Sequence, residues 1–113
     1  MEVLFESRDP ERESLRALTL MRARFLLRRL AWLAPLVKVR LSDTKGPRAG
    51  MDKHCTVEVH SQSCGRVIVH TRARSWRSAL DGALSRAARL LMRASRRVHA
   101  VKRTGQPALP FQR

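Results

Sequence analysis

Five arginines, Arg86, Arg89, Arg93, Arg96 and Arg97, recur at helical spacing within "SRAARLLMRASRR", residues 85–97. A guanidinium group is a planar fork of N–H donors, permanently charged and weakly hydrated, and it grips phosphate oxygens in pairs. A merely solvated helix face mixes signs, with carboxylates three or four residues from each cation. Here no Asp or Glu occurs between Ser85 and Arg113. The row is therefore read as a grip for a polyanion. Arg22, Arg28 and Arg29, then Lys38, and then Lys45, Arg48 and Lys53 are further candidates for the same task. Neutralising about six phosphates would give a log–log salt slope of about −4 to −5.

Other chemistry is less well supported. His54, Cys55, His60, Cys64 and His70 form the one group with metal-ligating side chains. Strand alternation sends Cys55 and His60 to opposite faces, and no CxxC pair occurs, so neither zinc nor any other metal is expected. Cys–His catalysis would need a third, orienting residue, and none is indicated. "GPRAG" lacks both the GK[ST] ending and the G-x-G-x-x-G spacing of phosphate-binding loops, and reads as a connection. No cofactor and no small-molecule substrate are expected, and the chain is read as a non-enzyme.

The totals narrow the partner class. The chain of 113 residues carries 24 Lys and Arg against 9 Asp and Glu, a net charge of +15. That length suits one domain, and 43% apolar content supports a core rather than wholesale disorder. An excess charge of this size opposes folding, and its use is an anionic partner. No run approaches 18 apolar residues, so a spanning helix is not expected. A basic helix lying on a membrane is also disfavoured, because its apolar stripe is mostly alanine. The acidic opening "MEVLFESRDPERE" does not suit a signal peptide, so the expected location is the cytoplasm, with Cys55 and Cys64 as free thiols.

The elements that must hold these residues follow from periodicity. "MEVLFES" alternates as a short strand with Val3 and Phe5 on one face. Asp9 and Pro10 open a helix expected to run to Leu33, stopping before Pro35. Its core stripe is Leu15, Thr19, Ala23, Leu26, Leu30 and Leu33. A second apolar row, Leu18, Met21, Phe25 and Trp32, either packs on another helix or stays partly exposed. "LVKVRLS" and "KHCTVEVHS" alternate as strands, with Val37, Val39, Leu41, Cys55, Val57 and Val59 inward. A three-residue loop Ser63–Cys64–Gly65, with a left-handed glycine, would turn Val67 and Val69 inward, whereas a two-residue loop would turn Ile68 and His70 inward. The last helix starts at its cap Ser75 and runs to about Val98. Trp76, Leu80, Ala83, Ala87, Leu91, Ala94 and Val98 form its apolar stripe. The fold class expected is α+β: a two-layer β-α-β-β-β-α domain over residues 1–103. Its four-stranded, mostly antiparallel sheet carries both helices on one face, and residues 104–113 are a short flexible tail.

The kind of nucleic acid is partly constrained. There is no Tyr, and the three Phe and two Trp are read as largely committed to core positions or the tail. The exposed aromatics of a single-strand binder are thus expected to be missing, which favours structured RNA or duplex. Charge alone leaves RNA against DNA open.

The order of elements, with "DTKGPRAGMDKHCTVEVH" and "RSWRSALDGALSRAARLLMR", resembles the ribosome hibernation-promoting factors. This family is also known as ribosome-associated translation inhibitors, or the sigma-54 modulation protein family. Trp76, Ala79, Leu80 and Asp81 stand where that family opens its last helix with an aromatic, a small residue, an aliphatic and an acid. The resemblance covers about residues 1–103. It implies binding to the small ribosomal subunit, in the channel used by mRNA and tRNA, with basic residues on 16S rRNA. Initiation would be blocked and idle ribosomes kept intact under stress. The basic helix positions carry over to Arg86, Arg89 and Arg93, then to Arg22, Arg28 and Arg29, and the basic loop to Lys45, Arg48 and Lys53. Long members have an additional C-terminal dimerisation domain with no counterpart in these residues. A short form is expected, a monomer off the ribosome, unable to pair ribosomes by that route.

Overall fold

Alternating apolar and polar residues produce four strands: β1 (Glu2–Ser7), β2 (Leu36–Asp43), β3 (Lys53–Ser61) and β4 (Gly65–Ala73). The computed structural model describes residues 1–44 and 52–104. Between β1 and β2 lie helix α1 (Arg12–Leu26) and a 3-10 segment, Arg28–Leu33; helix α2 (Trp76–Thr104) follows β4. The strands lie in the order β1-β2-β3-β4. The helical crossover returns the chain so that β1 and β2 run parallel, while the other two pairings are antiparallel. The β-α-β-β-β-α, two-layer α+β architecture expected from the sequence is the one observed.

One sheet face carries the core. Val37, Val39, Leu41, Cys55, Val57, Val59 and Val69 are buried there against Leu15, Ala23 and Leu27 of the α1 region and Leu80, Leu84, Ala87 and Leu91 of α2. The opposite sheet face holds Lys38, Arg40, Glu58, Ile68, His70 and Arg72, all wholly or partly exposed. A 29-residue helix is about 43 Å long, well over the length of these strands, and it contributes to overall dimensions of 54 × 26 × 17 Å.

The α1 region differs from expectation. The α-helix ends at Leu26, and the chain continues in 3-10 geometry instead of running on to Leu33. Pro35 has no N–H for the carbonyl of Ala31, and the N–H of Ala34 takes that carbonyl instead, at 3.1 Å. In a 3-10 helix residues i and i+3 eclipse, so Leu27, Leu30 and Leu33 share one side. Leu27 and Leu33 are buried and Leu30 half-buried. Leu27 thus joins the core, while Leu26 is only half-buried. The entrance is later than the Asp9 cap and Pro10 start expected: the helix begins at Arg12, with Glu11 at the cap position and no side-chain cap bond. Asp9 Oδ1 accepts the N–H of Glu11 at 2.8 Å in the turn just before it.

The β3–β4 loop is also offset. Its residues are Gln62–Cys64, with Ser61 opposite Gly65, one position earlier than expected. Gly65 has φ +80°, a left-handed conformation that favours glycine. The offset slides the pairing by two residues, which preserves facing, so Val67 and Val69 still turn inward beside Val59 and Val57.

Candidate nucleic-acid interface

Helix α2 is fixed on the sheet before any arginine is placed. Ser75 Oγ accepts the N–H of Ser78 at 3.1 Å, the expected cap. The Thr71 hydroxyl of β4 donates to the carbonyl of Ala79 at 2.7 Å. Leu80, Ala83, Leu84, Ala87, Leu91 and Ala94 are buried on the core side. At 100° per residue, Arg86, Arg89, Arg93, Arg96 and Arg97 fall within an arc of about 100° and span about 16 Å along the axis. All five are exposed. None takes part in an ion pair among the described residues. Five uncompensated forks along about three turns of one rigid axis attract anions and hold them without first breaking an internal salt bridge.

The other predicted residues do not share one surface. Arg22 is half-buried and bidentate to Asp81 of α2, with Nε to Oδ1 at 2.8 Å and Nη2 to Oδ2 at 3.2 Å. Its guanidinium is committed to holding the two helices together. Arg28 is exposed; its Nη1 donates to the carbonyl of Phe25 at 2.6 Å and its guanidinium lies 4.3 Å from that ring's centroid. Arg29 is exposed. Lys38 projects from the sheet face opposite the helices, away from the α2 row. Lys53 Nζ donates to Asp43 Oδ2 at 2.6 Å and lies 4.9 Å from the centre of the Trp76 ring. The hydrogen bond to Asp43 raises the Lys53 pKa above the ordinary lysine value, so the charge is kept but is neutralised locally. Lys45 and Arg48 lie outside the described residues, as do the loop "GPRAG" and residues 105–113. Helix α2 continues to Thr104, six residues past Val98, where the expected end lies at that residue or only a little beyond, and one residue into the segment read as a tail.

The cysteines and histidines separate as alternation requires. Cys55 is buried, and burial pushes its thiol up to about 12. His54 and His70 lie on the outer sheet face, with Nδ1 and Nε2 3.3 Å apart, and the Thr44 and Thr56 hydroxyls lie 2.9 Å and 3.0 Å from the remaining ring nitrogens. His60 Nε2 lies 2.6 Å from Glu58 Oε2. Among the described residues, no three His, Cys, Asp or Glu side chains gather as a metal site needs. Among them, too, no helix is long and apolar enough to cross a membrane.

The aromatics overturn one expectation. Trp32 is 68% exposed, Phe25 50% and Met21 57%, so most of the second apolar row of α1 faces solvent and only Leu18 of that row is packed against the core. The expectation that the tryptophans and phenylalanines are largely committed to the core or the tail fails for Phe25 and Trp32. Of the two alternatives for the second apolar row, exposure is the one observed for Met21, Phe25 and Trp32. A signal was present: with Leu27, Leu30 and Leu33 inward at three-residue spacing, Trp32 has to turn outward.

The chain matches no protein-family model and no curated protein.

Proposed function

We propose that this chain is a non-catalytic ribosome-binding protein, a translation inhibitor of the hibernation type. It would occupy the mRNA and tRNA channel of the small subunit by arginine contacts to 16S rRNA. The observation that carries the reading is the α2 row: Arg86, Arg89, Arg93, Arg96 and Arg97 are exposed, uncompensated by carboxylates among the described residues, and mounted on a helix fastened to the core. Contacts of guanidinium to phosphate bind tightly and quickly but read no base sequence. Target choice then depends on shape, and a folded RNA surface offers phosphates in three dimensions where a duplex offers a regular groove. The resemblance of the two quoted strings to the hibernation factors, in an α+β domain of the same element order, supports reading the ribosome as that surface.

Co-sedimentation with 30S subunits tests the proposal. Association at low salt and release at high salt are expected; no association at low salt would contradict it. The second reading is a general binder of duplex or structured RNA, which the same arginine row also serves. Competition between 30S subunits and a plain duplex separates the two, since equal affinity per site favours the general binder.

A further inference from the structure

Met21 and Phe25 near the end of α1 and Trp32 on the following 3-10 segment are exposed, and large apolar side chains in solvent can mark a binding site or a liability. Its charge setting is as distinctive. Between Glu13 and Asp43 the sequence has no carboxylate, yet it holds Arg16, Arg22, Arg24, Arg28, Arg29, Lys38 and Arg40. Arg24, Arg28 and Arg29, on the same segment as Phe25 and Trp32, are exposed and form no ion pair among the described residues. The Phe25 ring is flanked by two guanidiniums, Arg28 at 4.3 Å and Arg22 at 5.2 Å from its centroid. Arg22 is fixed in turn by Asp81, and Arg28 is held beside the ring by its hydrogen bond to the Phe25 carbonyl.

We propose that the end of α1 and the 3-10 segment form a stacking platform for unpaired nucleotides, with Trp32 meeting one base face, the Arg28 guanidinium that lies on the Phe25 ring meeting another, and Arg24 and Arg29 meeting the intervening phosphates. This deepens the nucleic-acid reading and rests on it, but it uses a different element from the α2 row. A second copy of the chain would bring a second set of unpaired arginines against the first, and a paired duplex hides its base faces. Unpaired nucleotides offer both an aromatic face and a phosphate, and base–aromatic stacking suits any sequence. The protein would then hold structured RNA by α2 and a single strand by the α1 segment.

Trp32 and Trp76 are the two tryptophans, so Trp76→Phe leaves Trp32 as the sole indole reporter. Three probes are titrated at low salt: an oligouridylate of about twelve nucleotides, a duplex of similar length, and heparin, which has charge without bases. The oligouridylate should quench Trp32 emission, while heparin and duplex bind without comparable quenching. In the otherwise native chain, Trp32→Leu should weaken oligouridylate binding about tenfold and leave heparin and duplex binding unchanged, with unaltered circular dichroism. Binding of all three without quenching, or equal weakening of all three by Trp32→Leu, overturns the platform and leaves the arginine reading intact. Failure of the oligouridylate alone to bind overturns the platform, and failure of all three probes overturns both readings. A dimer in sedimentation that Trp32→Leu dissolves also overturns the platform, because the patch would then be covered by protein.

Discussion

Thr19 is fully buried in α1, and its hydroxyl has no hydrogen-bond partner among the described residues. An orphaned hydroxyl in an apolar setting costs about 1–3 kcal/mol, and valine has nearly the same shape. Thr19→Val should therefore raise stability by about 1 kcal/mol, seen as a melting temperature higher by about 4 °C. Cys55 supplies a second test. Its folded thiol is held near 12 against an unfolded value of 9.0, so the folded state keeps a proton that the unfolded chain loses. The stabilising difference is whole below about pH 9 and is lost progressively up to about pH 12, by at most about 1.4 kcal/mol per pH unit. Denaturant titrations at rising alkaline pH should show this decline, and Cys55→Ala should flatten it. Lys53, whose pKa is also raised, loses stability in the same direction, so the difference between the two proteins is the quantity to read. Burial also shields Cys55 from thiol reagents, so at about pH 8 the half-exposed Cys64 should be alkylated first and Cys55 only on unfolding.

At the scale of elements, the clamp between Arg22 and Asp81 joins α1 to α2 across 59 positions of sequence. Both side chains are less than one-third exposed, and removing one partner strands the other. Asp81→Ala should lower stability by roughly 1–3 kcal/mol in urea titrations. Arg22→Gln should affect stability more than RNA affinity, which distinguishes this arginine from those on α2. The facing of α2 was legible because one element carries two non-overlapping patterns, alanine and leucine inward and arginine outward, and each keeps the 3.6-residue period. Buried Leu84 and the last turns to Thr104 nevertheless lay outside the expected stripe and end. The strands were legible for a similar reason, since alternation fixes facing even where the β3–β4 loop slid by one position. The end of α1 was not. An apolar side chain there reads the same whether an element covers it or not, and the switch to 3-10 geometry moved Leu27 in. The placement of the candidate residues was accordingly half legible: the α2 arginines share one exposed face and form no ion pair among the described residues, whereas Arg22 and Lys53 proved to be internally paired, by Asp81 and Asp43.

For the whole molecule, a net charge of +15 stays unneutralised by internal pairing, because 9 carboxylates cannot offset 24 cations. The helix layer presents the α2 row and the exposed α1 aromatics, and the open sheet face presents Lys38, Arg66 and Arg72. A domain so charged should associate with polyanions in proportion to the counterions it displaces, which makes the salt slope a count of working contacts. The most direct test is binding to 30S subunits across a salt series, for the native chain and for the Arg89→Glu, Arg93→Glu double variant, with circular dichroism on both. We expect a log–log slope of about −4 to −5 for the native chain. The variant should bind weaker by orders of magnitude, with a slope shallower by about two and unchanged helicity. Equal binding by the two proteins, or a variant that loses its helix, would contradict the assignment of these arginines to the interface.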